Sequence, residues 1–358
     1  MKRTFLLLTL LCSLSLFATA QTKFVDAVKL GIHGHAQKTE KSPYYRFDHT
    51  PYKFGKAVIE HALKPSGLYV TFKTNSSSVS AKWKVVPINT RDNMSFIMQH
   101  GLDLYMKVNG EWRYVMSPRI PCDLTPSSYN KRIVKNLGNE EKEFLLYLPI
   151  WCELTELEIG VDDGATIEGT PTPFRHKVIA YGSSITHGAA ASRAGLTYTA
   201  QMSRNLGIDF INFGFAGQCK MQQEFIDVLK TCEADAFLFD TFSNPTIKEV
   251  KSRLRNFVAE MVKAHPGKPL IFMQTAAPCE DNIDPKKRAY RRLHHETASG
   301  IMKELLKQYK DVYFLAVPDV LGTDATIDNS HPTDLGFDRF VKAYQPKIAK
   351  ILKKYGIK

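Results

Sequence analysis

Over the first half of the chain, apolar residues recur at every second position. Leu68, Val70 and Phe72 alternate with polar or exposed positions, as do Val79, Ala81, Trp83 and Val85. Two further runs, Leu104-Met106-Val108 and Trp112-Tyr114, flank Asn109-Gly110. Asn-Gly between alternating runs marks a tight hairpin, because both residues accept positive φ. The runs Phe144 to Leu148 and Leu157-Ile159-Val161 continue the pattern. Alternation turns one face of each strand to a core and the other to water. Residues 21–168 are therefore predicted to form an all-β sandwich, jelly-roll-like, of antiparallel strands. The stretch EGTPTPFRH, with Pro171 and Pro173, ends the alternation and predicts an extended linker over 169–176.

From 177 to 358 the period changes. Short apolar runs (178–181, 208–213, 236–240, 270–274 and 312–315) alternate with stretches of helical period (197–206, 224–231, 247–264, 291–309 and 336–355). Strand and helix in strict alternation imply a parallel sheet with helices on both faces. Ligands of such sheets bind outside the carboxyl ends of the strands. The loops to search are those after Tyr181, Phe213, Asp240, Gln274 and Leu315.

The N-terminus, MKRTFLLLTLLCSLSLFATAQ, joins a basic start, an apolar run and a small-residue end, the pattern of a signal peptide over 1–20 with cleavage before Gln21. An exported protein, periplasmic or secreted, is expected. Leu11 stands where a lipid anchor at Cys12 needs a small residue, which argues against lipoprotein anchoring. No other stretch approaches the roughly 20 apolar residues of a membrane span, so stable membrane insertion is not expected. Of the formal charge of +12, +10 remains once Lys2 and Arg3 are removed. Such a balance serves simple solubility first, and also favours acidic surroundings or polyanionic partners. Cys122, Cys152, Cys219, Cys232 and Cys279 are scattered, with no zinc spacing and room for one or two disulfides at most.

Gly182-Ser183-Ser184-Ile185-Thr186 leaves the first strand of the parallel sheet at its carboxyl end, where glycine allows a tight turn and a serine can be presented. It is not the Gly-x-Ser-x-Gly elbow, and its base must come from elsewhere. Near the chain end, IDNSHPTDLGFDRF places Asp328 three residues before His331. An aspartate so placed can hold the Nδ1 proton of the imidazole and leave Nε2 free to take a hydroxyl proton.

With these residues the chain resembles the SGNH hydrolases, the GDSL-type esterase superfamily. YGSSITHG is similar to the family's first block, which implies Ser184 as nucleophile. NFGFAGQ is similar to the second and implies that the Gly217 N–H serves an oxyanion hole. DTFSNPT is similar to the third, implying Asn244 as another oxyanion donor, and DNSHPTDLG to the last, implying Asp328 and His331. Ser183 replaces the family aspartate beside the nucleophile, and Ser243 and Pro245 surround Asn244 where the family has a glycine and a second aspartate. The resemblance implies a flavodoxin-like hydrolase domain over 177–358. Gly101-Leu102-Asp103-Leu104-Tyr105 resembles the GxDLY motif of a β-domain that precedes some GDSL-like hydrolases. Asp103 and Tyr105 are expected to build a strand start in preference to lining a cleft.

His33, His35, His294 and His295 lack partners at ligand spacing and read as surface or helix-end residues, so no metal is expected. DPKKRAYRRLHHE is basic but has no aromatic interleaving, and no nucleic acid is expected. The absence of a phosphate-cradling glycine loop after the first strand leaves no cofactor implied. The expected protein is an exported serine esterase acting on short acyl esters, acetyl above all, of carbohydrates, with the β-domain close enough to supply part of a cleft wall and help select the polymer. The alternatives are a lipid-directed esterase or thioesterase, and a catalytically impaired carbohydrate-binding protein. Neither the polysaccharide nor the oligomeric state is legible.

Overall fold

A computed structural model describes residues 21–86, 91–121, 127–277, 280 and 282–358. The expected signal peptide, Cys122 and Cys279 lie outside the described residues. Cys152, Cys219 and Cys232 are buried free thiols.

The first half holds strands β1 (Thr22–Asp26), β2 (Ile32–His33), β3 (Tyr69–Thr74), β4 (Val79–Val86), β5 (Asp103–Val108), β6 (Glu111–Met116), β7 (Ser128–Val134), β8 (Lys142–Tyr147), β9 (Glu153–Asp162) and β10 (Ile167–Gly169). Short helices α1 (Ala27–Leu30), α2 (Lys56–Ala62) and α3 (Phe96–His100) interrupt them. One antiparallel sheet has the order β1-β9-β4-β7, and the other runs β10-β3-β8-β5-β6 with β2 beside β3. Their inner faces, Ala81, Trp83 and Ile159 from one and Val70, Phe72 and Leu146 from the other, share one core. The predicted hairpin joins β5 to β6, with Asn109 and Gly110 at φ 52° and 84°. Of the expected linker, Gly169 pairs with Phe72 in β10, Phe174 is buried, and the Arg175 N–H bonds the Gly207 carbonyl.

The second half runs β11 (Lys177–Gly182), α4 (Ser184–His187), α5 (Tyr198–Leu206), β12 (Asp209–Gly214), α6 (Gln223–Thr231), β13 (Ala236–Asp240), α7 (Ile247–Ala264), β14 (Leu270–Met273), α8 (Pro285–Gln308), β15 (Val312–Leu315) and α9 (Asp334–Lys353). The sheet is parallel with order β12-β11-β13-β14-β15, the flavodoxin-like order. Successive residues of β11 face opposite layers. Val178 and Ala180 pack with α5 and α9, while Ile179 and Tyr181 pack with α6, α7 and α8.

That second layer also contains Ala36, Phe47, Val58 and Ala62 from the first half of the chain. Phe47 stands edge-on to Phe213, ring centres 5.0 Å apart. The fully buried Arg46 donates to the carbonyls of Asn212 (3.2 Å) and Gly214 (2.9 Å), on β12, and His61 (2.6 Å). Edge strands need such covering, because their unpaired polar groups otherwise face solvent or another chain. The segment between β2 and β3 is therefore part of the parallel-sheet unit by packing.

Beside Arg46, Lys64 lies 3.1 Å from His61 Nδ1 and over the Trp151 ring, and His187 packs tilted against Trp151, ring centres 4.5 Å apart. Burial, with added repulsion from neighbouring cations, lowers Lys64 to about 7 and His61 to about 3. Between about 7 and the ordinary 10.5 the unfolded chain holds a proton on Lys64 that the folded chain does not, so stability rises with pH across that window. Lys64→Met should raise the melting temperature at pH 7 and flatten this rise, as differential scanning fluorimetry across pH 7–10.5 would show. An unchanged slope would exclude Lys64 as its source.

Candidate active site

Gly182 closes β11, and a Cβ there would fall 2.0 Å from Thr186 Oγ1 and 2.9 Å from Asp240 Cβ, so only glycine fits the turn into α4. Ser183 caps that helix, its Oγ accepting from the Ile185 N–H at 3.1 Å. The same hydroxyl donates to Asp240 Oδ2 at 2.6 Å. Ser184 is the first residue of α4 and lines a cleft of about 370 Å³ at the carboxyl edge of the sheet.

Across the cleft, the loop before α9 folds on itself. The Asp328 Oδ1 accepts from the backbone N–H of Ser330 (3.2 Å) and His331 (2.8 Å). Its Oδ2 lies 2.6 Å from His331 Nδ1, and His331 Nε2 lies 2.9 Å from Ser184 Oγ. A carboxylate only accepts, so Nδ1 carries the ring proton and Nε2 of the neutral ring accepts from the serine hydroxyl. Burial opposes the ionised carboxyl of Asp328. Donation from the His331 backbone and ring, the charge of the imidazole and the Asn93 amide outweigh it and hold the group below the usual carboxylate range.

Asn244 lines the same cleft, and its Oδ1 accepts from the Cys219 N–H at 3.2 Å, which leaves the Nδ2 donors for the cleft. Gly217 follows β12 with φ 71° and open space where a side chain would start. The loop carrying Asn244 is pinned from two sides. Ser243 bonds Asp240 Oδ1 (3.2 Å) and Thr275 (2.7 Å), while the buried His294 of α8 donates from Nε2 to the Pro245 carbonyl (2.9 Å). His294 and His295 thus stand in the cleft wall, not at a surface or a helix end. Among the described residues no group of His, Cys, Asp and Glu is placed to hold a metal ion, and no helix is long and apolar enough to cross a membrane.

Asp240 escaped the sequence reading. It is fully buried at the end of β13, where desolvation raises its carboxyl and the hydroxyls of Ser183, Thr186 and Ser243 pull the other way. A carboxylate therefore still stands beside the nucleophile's neighbour, supplied by the adjacent strand. The available signal was an acid ending the apolar run AFLFD.

The GxDLY residues join the two halves of the chain. Asp103 begins β5, and its Oδ2 accepts from Arg193 Nη1 and from the Gly195 N–H, both at 2.7 Å. Arg193 also donates to Tyr105 OH at 2.6 Å and lies 3.8 Å over the Tyr114 ring. Nearby, Ser95 donates to the Ser192 carbonyl, whose own N–H bonds Asp334 at the start of α9.

Residues 175–349 match the GDSL-like lipase/acylhydrolase family, and residues 22–167 match GxDLY, the N-terminus of SGNH-hydrolase-type esterases. A GDSL-like lipase-family protein from Bacteroides ovatus is 39% identical, covering 93% of this chain and 98% of its own, with TM-score 0.88. The chain belongs to this family and is a carboxylic ester hydrolase. Two more distant structures share the fold. They are the salicylyl-acyltransferase SsfX3 from a tetracycline biosynthetic pathway (20% identity, 92% and 97% covered, TM-score 0.70) and a family two carbohydrate esterase from Cellvibrio japonicus (12%, 93% and 98%, 0.62). No curated protein sequence matches the chain.

Proposed function

We propose that the protein is an exported serine esterase that removes acetyl and other short acyl groups from carbohydrates. The observation that carries this reading is the unbroken hydrogen-bonded chain Ser184–His331–Asp328 opening into the cleft. Ser184 Oγ attacks the ester carbonyl while its proton passes to His331 Nε2, and Asp328 steadies the imidazolium. The N–H groups of Ser184 and Gly217 and the Asn244 amide receive the oxyanion. Collapse expels the sugar oxygen, which takes the proton from His331. Water then repeats the sequence and releases the acid.

Two features support a carbohydrate leaving group. Among the apolar surface of Phe242 and Ile185 the cleft wall presents the hydrogen-bonding groups of Ser243, Thr275, Tyr290 and Arg291, which a hydroxyl-rich ring can use and an acyl chain cannot. The family two carbohydrate esterase has a similar fold over nearly its whole length. Initial rates on p-nitrophenyl esters from acetyl to octanoyl, followed by acetate release from acetylated polysaccharides, test the reading. Acetyl esters should turn over fastest. An octanoyl ester outpacing acetyl about tenfold would replace it with a lipid-directed esterase, and polysaccharide binding without any hydrolysis would leave a binding protein.

A further inference from the structure

We infer that Asn93, from the β-rich half of the chain, is a positioning residue of the active site, holding Asp328 through a side-chain hydrogen bond that completes the serine–histidine–aspartate chain. The inference rests on the esterase reading above. Asn93 Nδ2 donates to Asp328 Oδ2 at 3.2 Å, the same oxygen that receives the His331 Nδ1 proton. The other donors to this carboxylate that the structure gives are Ser330 and His331, two and three residues away on its own loop. Bonds of that kind travel with the loop; Arg291 of α8 holds the loop at the Asn329 carbonyl and Ser330 Oγ but does not reach the carboxylate. Within the loop Asn329 adopts the left-handed region, φ 61°, a conformation that needs support from its surroundings. Asn93 bonds the carboxylate from 235 positions away in sequence and ties it to a separate packed unit.

The donor is itself held. Buried Gln99 staples the turn that carries Asn93, accepting from the Arg91 N–H (2.9 Å) and donating to the carbonyls of Arg91 (3.1 Å) and Met94 (3.0 Å). Ser95 then caps α3 and bonds Ser192, so the turn is anchored to the hydrolase loop on its other side. A neutral amide suits this position. It orients the carboxylate without cancelling the charge that must stabilise the imidazolium, as a lysine or arginine would.

Two variants of the full chain test the inference, with p-nitrophenyl acetate as substrate. Asn93→Ala removes a single donor to a charged acceptor, and kcat should fall about three- to tenfold with KM within about twofold. Asn93→Asp places a second carboxylate beside Asp328, which favours the protonated imidazole. The acid limb of the kcat/KM profile should then move up by about 0.5 to 1 pH unit. The other titratable groups that line the cleft are Tyr290, Arg291, His294 and His295 of α8, with Arg91 and Asp92 beside Asn93 and Asp334 at the start of α9. All are kept in both variants. The titration of the His331 ring, followed by nitrogen-edited NMR, reads the same shift without substrate. Both variants with wild-type kcat and an unmoved limb would overturn the inference and leave the esterase reading intact. A loss of activity matched by a fall in melting temperature, with the His331 titration unmoved, would reduce Asn93 to a docking contact. A wild-type chain unable to hydrolyse any ester would sink both.

Discussion

Ser184→Ala should abolish ester hydrolysis, lowering kcat by about four orders of magnitude or more, while Ser183→Ala stays active. The two serines are adjacent but face different partners. Ser184 Oγ meets His331 Nε2 in the cleft, whereas Ser183 is buried, with its hydroxyl given to Asp240 and its oxygen to the Ile185 N–H. Removing the Ser183 hydroxyl leaves a buried carboxylate short of one donor and a helix start uncapped. A loss of about 1–3 kcal/mol of stability is expected, visible as a lower melting temperature with turnover kept within an order of magnitude. If Ser183→Ala were the dead variant and Ser184→Ala the active one, the nucleophile would have been assigned to the wrong residue.

The second large effect concerns the division of the chain. A variant beginning at Thr170, which retains every residue of the proposed catalytic chain, should fail to fold. It loses Ala36, Phe47, Val58 and Ala62 from the core on one side of the parallel sheet, and the Arg46 bonds that cover β12. Phe47 and Val58 together forfeit about 3–6 kcal/mol of burial, which with the lost Arg46 bonds reaches the lower end of the roughly 5–15 kcal/mol that separates folded from unfolded domains. Circular dichroism and thermal melting should show no cooperative transition. A soluble fragment that melts cooperatively and hydrolyses p-nitrophenyl acetate at the intact chain's rate would mean that the core closes without this segment.

The parallel-sheet unit was largely legible because its strands are nearly continuous apolar runs and its helices keep a regular period. AFLFD and VYFL became β13 and β15 with their expected bounds, and the helix expected over 247–264 is α7. In the first half, β7 (Ser128–Val134) was passed over, since SYNKRIV carries too many polar residues to alternate visibly. The expected pairing of Asp328 with His331 appears as hydrogen bonds, because residues three apart in a turn are close whatever the rest of the chain does. Asp240 and Asn93 were not found. Their partners lie 57 and 235 positions away, and no local period reports contacts of that range. Among the described residues the β-rich half supplies none of those that line the cleft: it meets the site from behind, Asn93 at Asp328 and Ser95 and Asp103 at the loop of Ser192 and Gly195.

The placement of Arg46 also sets an order of events during synthesis. Its carbonyl partner on Asn212 is added 166 residues later. At typical elongation rates of about 5–20 residues per second, this segment waits roughly ten to thirty seconds for the strand it covers. Every strand of the two antiparallel sheets that flank it is made before Asn212, β10 ending at Gly169. The parallel sheet is thus born without one of its walls and receives it from a chain section made long before. The covering of β12 joins chain sections made far apart in time, and no local stretch of sequence contains both sides of it.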